Sequence, residues 1–217
     1  MTIQNYFRFA TLAVTLFFCT NWCMAQTTFD VVEINHTVKD YAVWRKAFDA
    51  DSTIQKANGL SLVVVGRGLD NPNNLSVVLT VADVQKAKTF IADPRLKDVM
   101  EKNGVISKPD IAFYKVVRFT PSAAPDQPWV AITVPVKDFD TWLKVFDAEG
   151  LDARKSQGST DVAITHGIDD PNLVHLIFDI NDMAKFNAAM ASDAKRKVIM
   201  DSGVTGPPKV EFYKEAK

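Results

Sequence analysis

The chain has 217 residues, and its 25 Lys and Arg against 26 Asp and Glu leave a formal net charge of −1 at pH 7. That balance excludes the clustered positive charge that nucleic-acid binding requires, so no nucleic-acid partner is expected. The length allows one or two domains.

Residues 1–25 read as a secretory signal peptide. One cation, Arg8, precedes an apolar stretch from Phe9 to Phe18, and Cys23-Met24-Ala25 places small residues three and one before the cut. The stretch falls far short of the ~20 apolar residues of a membrane span. The mature chain, beginning at Gln26, is therefore expected in the periplasm or outside the cell, with no stable membrane span after cleavage. Cys19 and Cys23 leave with the leader. No disulfide or thiol chemistry is then expected of the mature chain, which must rely on its core.

The first mature element is a period-2 strand, with Val32, Ile34 and Val38 on one face and Glu33, Asn35 and Thr37 on the other. A helix follows, with Asp40 as N-cap and Tyr41, Trp44 and Phe48 at i, i+3 and i+7. Two strands come next, around Ser61–Arg67 and Ser76–Val81. They are joined by Leu69-Asp70-Asn71-Pro72-Asn73, which is turn chemistry. A second helix begins near Asp83, and a last strand carries Ile111 and Phe113.

This whole order then recurs. Val38-Lys39-Asp40-Tyr41 returns as Val136-Lys137-Asp138-Phe139, and Trp44, Lys46 and Phe48-Asp49-Ala50 return as Trp142, Lys144 and Phe146-Asp147-Ala148, all 98 residues on. One inserted residue shifts the offset to 99. It stays there from Gly59/Gly158, through Pro72-Asn73/Pro171-Asn172, to Phe113-Tyr114-Lys115/Phe212-Tyr213-Lys214. A period of this length marks duplicated domains, not a solenoid. The expected organisation is a signal peptide over 1–25, a first repeat over 26–119, a Pro- and Ala-containing linker over 120–128 and a second repeat over 129–217. Each repeat reads βαββαβ, the ferredoxin-like arrangement, an α+β class. One such unit leaves a sheet face uncovered, so the two are expected to appose those faces as a pseudo-dimeric α+β barrel. Pairing within the chain is the plain expectation, and a homo-oligomer stays open.

The pattern W-x-K-x-F-D, then Gly, then a D-[DN]-P-N turn, then G-V-x-x-x-P before the last strand resembles small proteins of the dimeric α+β-barrel superfamily. That superfamily includes antibiotic-biosynthesis-monooxygenase-like domains. The resemblance covers nearly all of both repeats and implies the barrel fold. It implies little about chemistry, because the superfamily holds oxygenases, haem-degrading proteins, isomerases and ligand sensors. It also implies that a ligand cavity, where present, lies between sheet and helices.

No P-loop, G-x-S-x-G or H-E-x-x-H occurs. His36, His166 and His175 show no two-ligand metal spacing, so neither metal nor cofactor is expected. By alternation His36 and His166 face the helices, while His175 shares the opposite face with Asp161 and Asp179. Val63, Val65 and Arg67 form a helix-facing row that ends in a polar residue. The copy is Val162, Ile164 and His166. Trp44 and Trp142 occupy inward helical positions, where a large aromatic is usually core. Asp49 and Asp147, joined by Asp51 and Glu149, read as a solvated helix face. The candidate ligand-binding residues are thus Trp142, His166, Trp44 and Arg67, with the second repeat favoured, since His can donate, accept or shuttle a proton. The leading function is binding of a small apolar or aromatic molecule in the cell envelope. A cofactor-independent monooxygenase acting on an aromatic or polyketide-like compound is the alternative, and a structural or interaction module is the third. Catalytic residues, and whether there is catalysis at all, are left open by the sequence.

Overall fold

The computed structural model describes residues 28–124 and 126–216. The signal-peptide segment lies outside the described residues. The first repeat runs β1 (Phe29–Thr37), α1 (Tyr41–Ala50), α2 (Ser52–Ala57), β2 (Leu60–Gly68), β3 (Asn74–Val81), α3 (Val84–Ile91), α4 (Pro94–Lys102) and β4 (Asp110–Phe119). The second repeats this order as β5 (Trp129–Pro135), α5 (Phe139–Glu149), α6 (Leu151–Ser156), β6 (Ser159–Gly167), β7 (Leu173–Ile180), α7 (Met183–Ala191), α8 (Asp193–Asp201) and β8 (Lys209–Glu215).

Helix starts follow the predicted chemistry. Asp40, Asp83, Asp138 and Asp182 are extended N-caps, and each carboxylate accepts a backbone N–H three residues on, at 2.8–3.0 Å. Each such cap contributes about 1 kcal/mol. Each expected helix is in fact two. Pro94 opens α4 behind the Asp93 cap, and Ser192 caps α8. In the second repeat the inserted residue is Gly150, whose φ of 84° ends α5.

The strands close into one antiparallel barrel in the order β1-β3-β2-β8-β5-β7-β6-β4. The repeats join at two seams, β2 with β8 and β4 with β6. At the first seam Gly66 lies under the Trp129 ring, and a Cβ there would sit 2.5 Å from it.

Bulges sit between Leu62 and Val64 and between Asp161 and Ala163. Each inserts one residue and reverses the face of everything before it. This corrects the expected placement of Asp161 inside the barrel; Leu62, its counterpart in the first repeat, is turned in the same way. Asp161 pairs with Phe178 in register and turns toward the helices, where it meets Arg154.

Helices cover the outside of the barrel in two apolar layers. Val32, Trp44, Leu60, Val77, Leu79 and Ala87 anchor the first, and Val130, Trp142, Phe146, Leu176, Phe178 and Phe186 the second. The lumen holds Val31, Tyr114 and Val116 from one repeat against Trp129, Ala131 and Tyr213 from the other.

Candidate functional site

The two sheet–helix layers differ in how completely they are filled. In the first, a cavity of about 850 Å³ opens between α1–α2, α3–α4 and the sheet. In the second, the matching space is about 110 Å³. The cause is side-chain volume at matched positions. Leu79 and Ala87 in the first repeat correspond to Phe178 and Phe186 in the second. Phe178 packs on Phe146 at 6.2 Å between ring centroids, and Phe186 meets Phe212 edge-on at 6.1 Å.

Charge completes the filling of the second layer. Arg154 of α6 is fully buried and takes Asp161 in a two-point hydrogen bond, at 2.8 and 2.7 Å. Its guanidinium also donates to the Phe146 carbonyl at 2.7 Å and lies 3.8 Å from the Phe146 ring centroid. Glu149 adds a second acid, bridged by Lys195. In the first repeat Arg154 is replaced by Gln55, which donates weakly to the Phe48 carbonyl at 3.3 Å, and Asp161 is replaced by Leu62. The space that an ion pair occupies in one copy is left open in the other.

The first-repeat cavity has an aromatic wall, Trp44 stacked on Phe48 at 4.9 Å, and an apolar floor of Leu60, Val77 and Leu79. Asp51, Gln55, Asn58 and Arg95 reach its rim. His36 of β1 is the polar residue of the inner wall. It is 6% exposed and packs against Trp44 at 5.4 Å; the Ile34 backbone carbonyl gives one ring nitrogen a weak contact, and the other has no hydrogen-bond partner among the described residues. Burial lowers its pKa to about 4, so the imidazole is neutral at pH 7. Its counterpart is Val134. On the far side of α4 lies a further hollow of about 830 Å³ that shares Ile34, Leu96 and Met100 with the first. No residue of α4 is fully buried.

Of the four residues singled out from sequence, Trp44 lines the large cavity and Trp142 the small one. Arg67 and His166 line neither. Arg67 donates to the Pro72 carbonyl at 2.7 Å and lies over the Tyr41 ring at 4.3 Å. His166 packs on Phe139 at 4.8 Å, with Nδ1 3.0 Å from its neighbour's carbonyl. Both therefore tie a strand end to the first helix of their own repeat. The acids read as a solvated face are paired: Asp49 with Arg45, and Asp147 with Arg118 of the other repeat, while Asp51 reaches the cavity. Sequence reasoning placed His36 on the correct face but did not single it out. Its pairing with Val134 is the asymmetry that would have done so.

A second polar group lies inside the barrel. Glu33 accepts from Ser76 at 2.7 Å and lies 3.2 Å from Nε2 of His175, whose Nδ1 is 2.8 Å from the Thr133 hydroxyl. Tyr114 stacks on the imidazole at 4.4 Å. Burial holds the His175 pKa below its usual value despite the facing carboxylate. With Nδ1 accepting from Thr133 and Nε2–H donating to Glu33, a neutral ring satisfies every partner. This cluster joins the two repeats, and its polar groups satisfy one another.

No protein-family model matches the chain, and no curated protein matches it. Solved structures do. A candidate monooxygenase from Lactobacillus acidophilus NCFM aligns with TM-score 0.56 at 15% identity over 86% of this chain and 94% of that one. An anthrone oxidase-like protein aligns with TM-score 0.61 at 14% identity over 87% and 92%. A ferredoxin-fold protein related to antibiotic biosynthesis monooxygenases, from Listeria monocytogenes 4b F2365, aligns with TM-score 0.50 at 12% identity over 88% and 97%. The fold is that of the monooxygenase-like dimeric α+β barrels, closed here within a single chain.

Proposed function

We propose that the chain binds a small, mainly apolar ring compound in the first-repeat cavity, and that the second repeat is its filled, stabilising counterpart. The observation that carries this reading is the cavity of about 850 Å³, walled by Trp44 and Phe48. It lies within the size range of small-molecule sites, with an apolar inner lining and polar and charged side chains around its rim. A purely structural module would have filled both layers. Export to the periplasm or beyond is part of the proposal and rests on the leader pattern alone.

The test is titration of the purified chain with Nile red, an uncharged apolar ring dye. Saturable binding to one site is expected. Leu79→Phe, which places the bulk of Phe178 in the first cavity, should abolish it. Binding that Leu79→Phe leaves intact would overturn this location.

A second reading is turnover of the bound ring by dioxygen without a cofactor. The monooxygenase-like and anthrone oxidase-like neighbours favour it. In such a reaction a ring CH2 becomes C=O, one oxygen atom enters the product and the other leaves as water. The substrate itself supplies the electrons. Oxygen consumption with a panel of ring compounds separates the two readings: uptake that depends on Trp44 supports turnover, and binding without uptake removes it.

A further inference from the structure

The first cavity contains an imidazole that the protein itself satisfies only in part. Both nitrogens of His36 are buried; the Ile34 carbonyl makes a weak contact with one, and the other has no partner among the described residues, although a neutral ring offers one donor and one acceptor. Leaving such a group unpaired costs free energy, and the second repeat shows that the fold accepts an apolar residue at this place, since Val134 stands there. His36 lines the inner wall of the cavity, its ring against that of Trp44. Resting on the cavity reading above, we propose that His36 is the specificity-determining residue of this site, selecting uncharged ring compounds whose hydroxyl group hydrogen-bonds the imidazole at the inner end of the cavity.

The charge arrangement sets the class. A carboxylate or sulfonate at the inner wall would meet no cation. Burial keeps His36 neutral at pH 7, and the nearby cations are engaged elsewhere. Lys86 donates to the Ala57 carbonyl at 2.8 Å, and Arg95 is held by Asp93 at the rim. Burying an unpaired anion there is strongly unfavourable. A hydroxyl can donate to the bare ring nitrogen and needs no counter-ion. The stacked Trp44 and Phe48 rings offer a flat wall to the rest of the molecule.

Three probes of matched size test this: 2-naphthol, 2-methylnaphthalene and 2-naphthoate, titrated by calorimetry into the full chain and into His36→Phe. The wild type should bind 2-naphthol about five- to tenfold more tightly than 2-methylnaphthalene, the scale of one net hydrogen bond. It should bind 2-naphthoate most weakly. In His36→Phe the naphthol preference should vanish while methylnaphthalene still binds. Equal binding of naphthol and methylnaphthalene to the wild type overturns the role of His36 and leaves the cavity reading intact. So does a preference that survives His36→Phe, or tightest binding of naphthoate. Failure of all three probes to bind overturns the cavity reading itself and the inference with it. The nitrogen NMR shifts of the His36 ring give a readout that needs no variant. They should move with 2-naphthol and not with 2-methylnaphthalene, and the same shift with both would overturn the proposal.

Discussion

The two repeats share one backbone plan and have diverged in the space between sheet and helices. The first leaves about 850 Å³ open beside the partly satisfied His36, whereas the second leaves about 110 Å³ and spends its polar groups on the Arg154–Asp161 pair. Duplication allows this division. One copy can tolerate an unfilled layer because the other, joined to it along two strand seams, is densely packed.

The largest expected effect comes from breaking the filled copy. Arg154→Met should destabilise the protein by about 3–5 kcal/mol in denaturant unfolding, because it leaves Asp161 buried and unpaired. Gln55→Met, the same position in the open copy, should change stability by under ~1 kcal/mol. Equal costs at the two positions would erase the contrast. Phe186→Ala should cost about 3–5 kcal/mol as well, and by opening the second layer should raise the number of Nile red sites from one to two.

Acid provides the next test. The unfolded chain takes up a proton at His36 near pH 6.5, the folded one only near pH 4. Between those values the unfolded state binds more protons. The stability this group contributes is therefore complete above pH 6.5 and is lost as the pH falls toward 4, by about 3 kcal/mol at 1.36 kcal/mol per pKa unit. His36→Val, copying Val134, should flatten that part of the pH profile relative to the wild type. Parallel profiles would show that His36 is not held neutral. The smallest effects are expected at Arg67 and His166. Alanine at either should leave Nile red affinity within about twofold and stability within about 1 kcal/mol. A loss of binding in His166→Ala alone would return the site to the second repeat.

The fold was legible because the duplicated register, the four Asp caps and the alternating strands all specify the same arrangement. What escaped was geometry that leaves no compositional mark. A bulge inserts no unusual residue, so strict alternation carried Asp161 to the wrong face. A cavity is a volume left between layers, and Leu79 against Phe178 looks like an ordinary apolar exchange until both helices are in place. Trp44 was legible as inward. Its neighbour His36 was overshadowed by Arg67 and His166, whose difference between copies drew attention to a position that ties a strand end to the first helix.

Every strand of the barrel has two neighbours, but the β2–β8 seam is only three residue pairs long, from Gly66/Glu215 to Gly68/Tyr213, and leaves residues 60–64 of β2 without a strand partner on that side among the described residues. Strand addition, the usual route from exposed edges to aggregation, is confined to that short stretch. When two separate chains complete such a ring, dilution opens it. Here both halves belong to one molecule, and the melting temperature should not change across a hundredfold range of protein concentration.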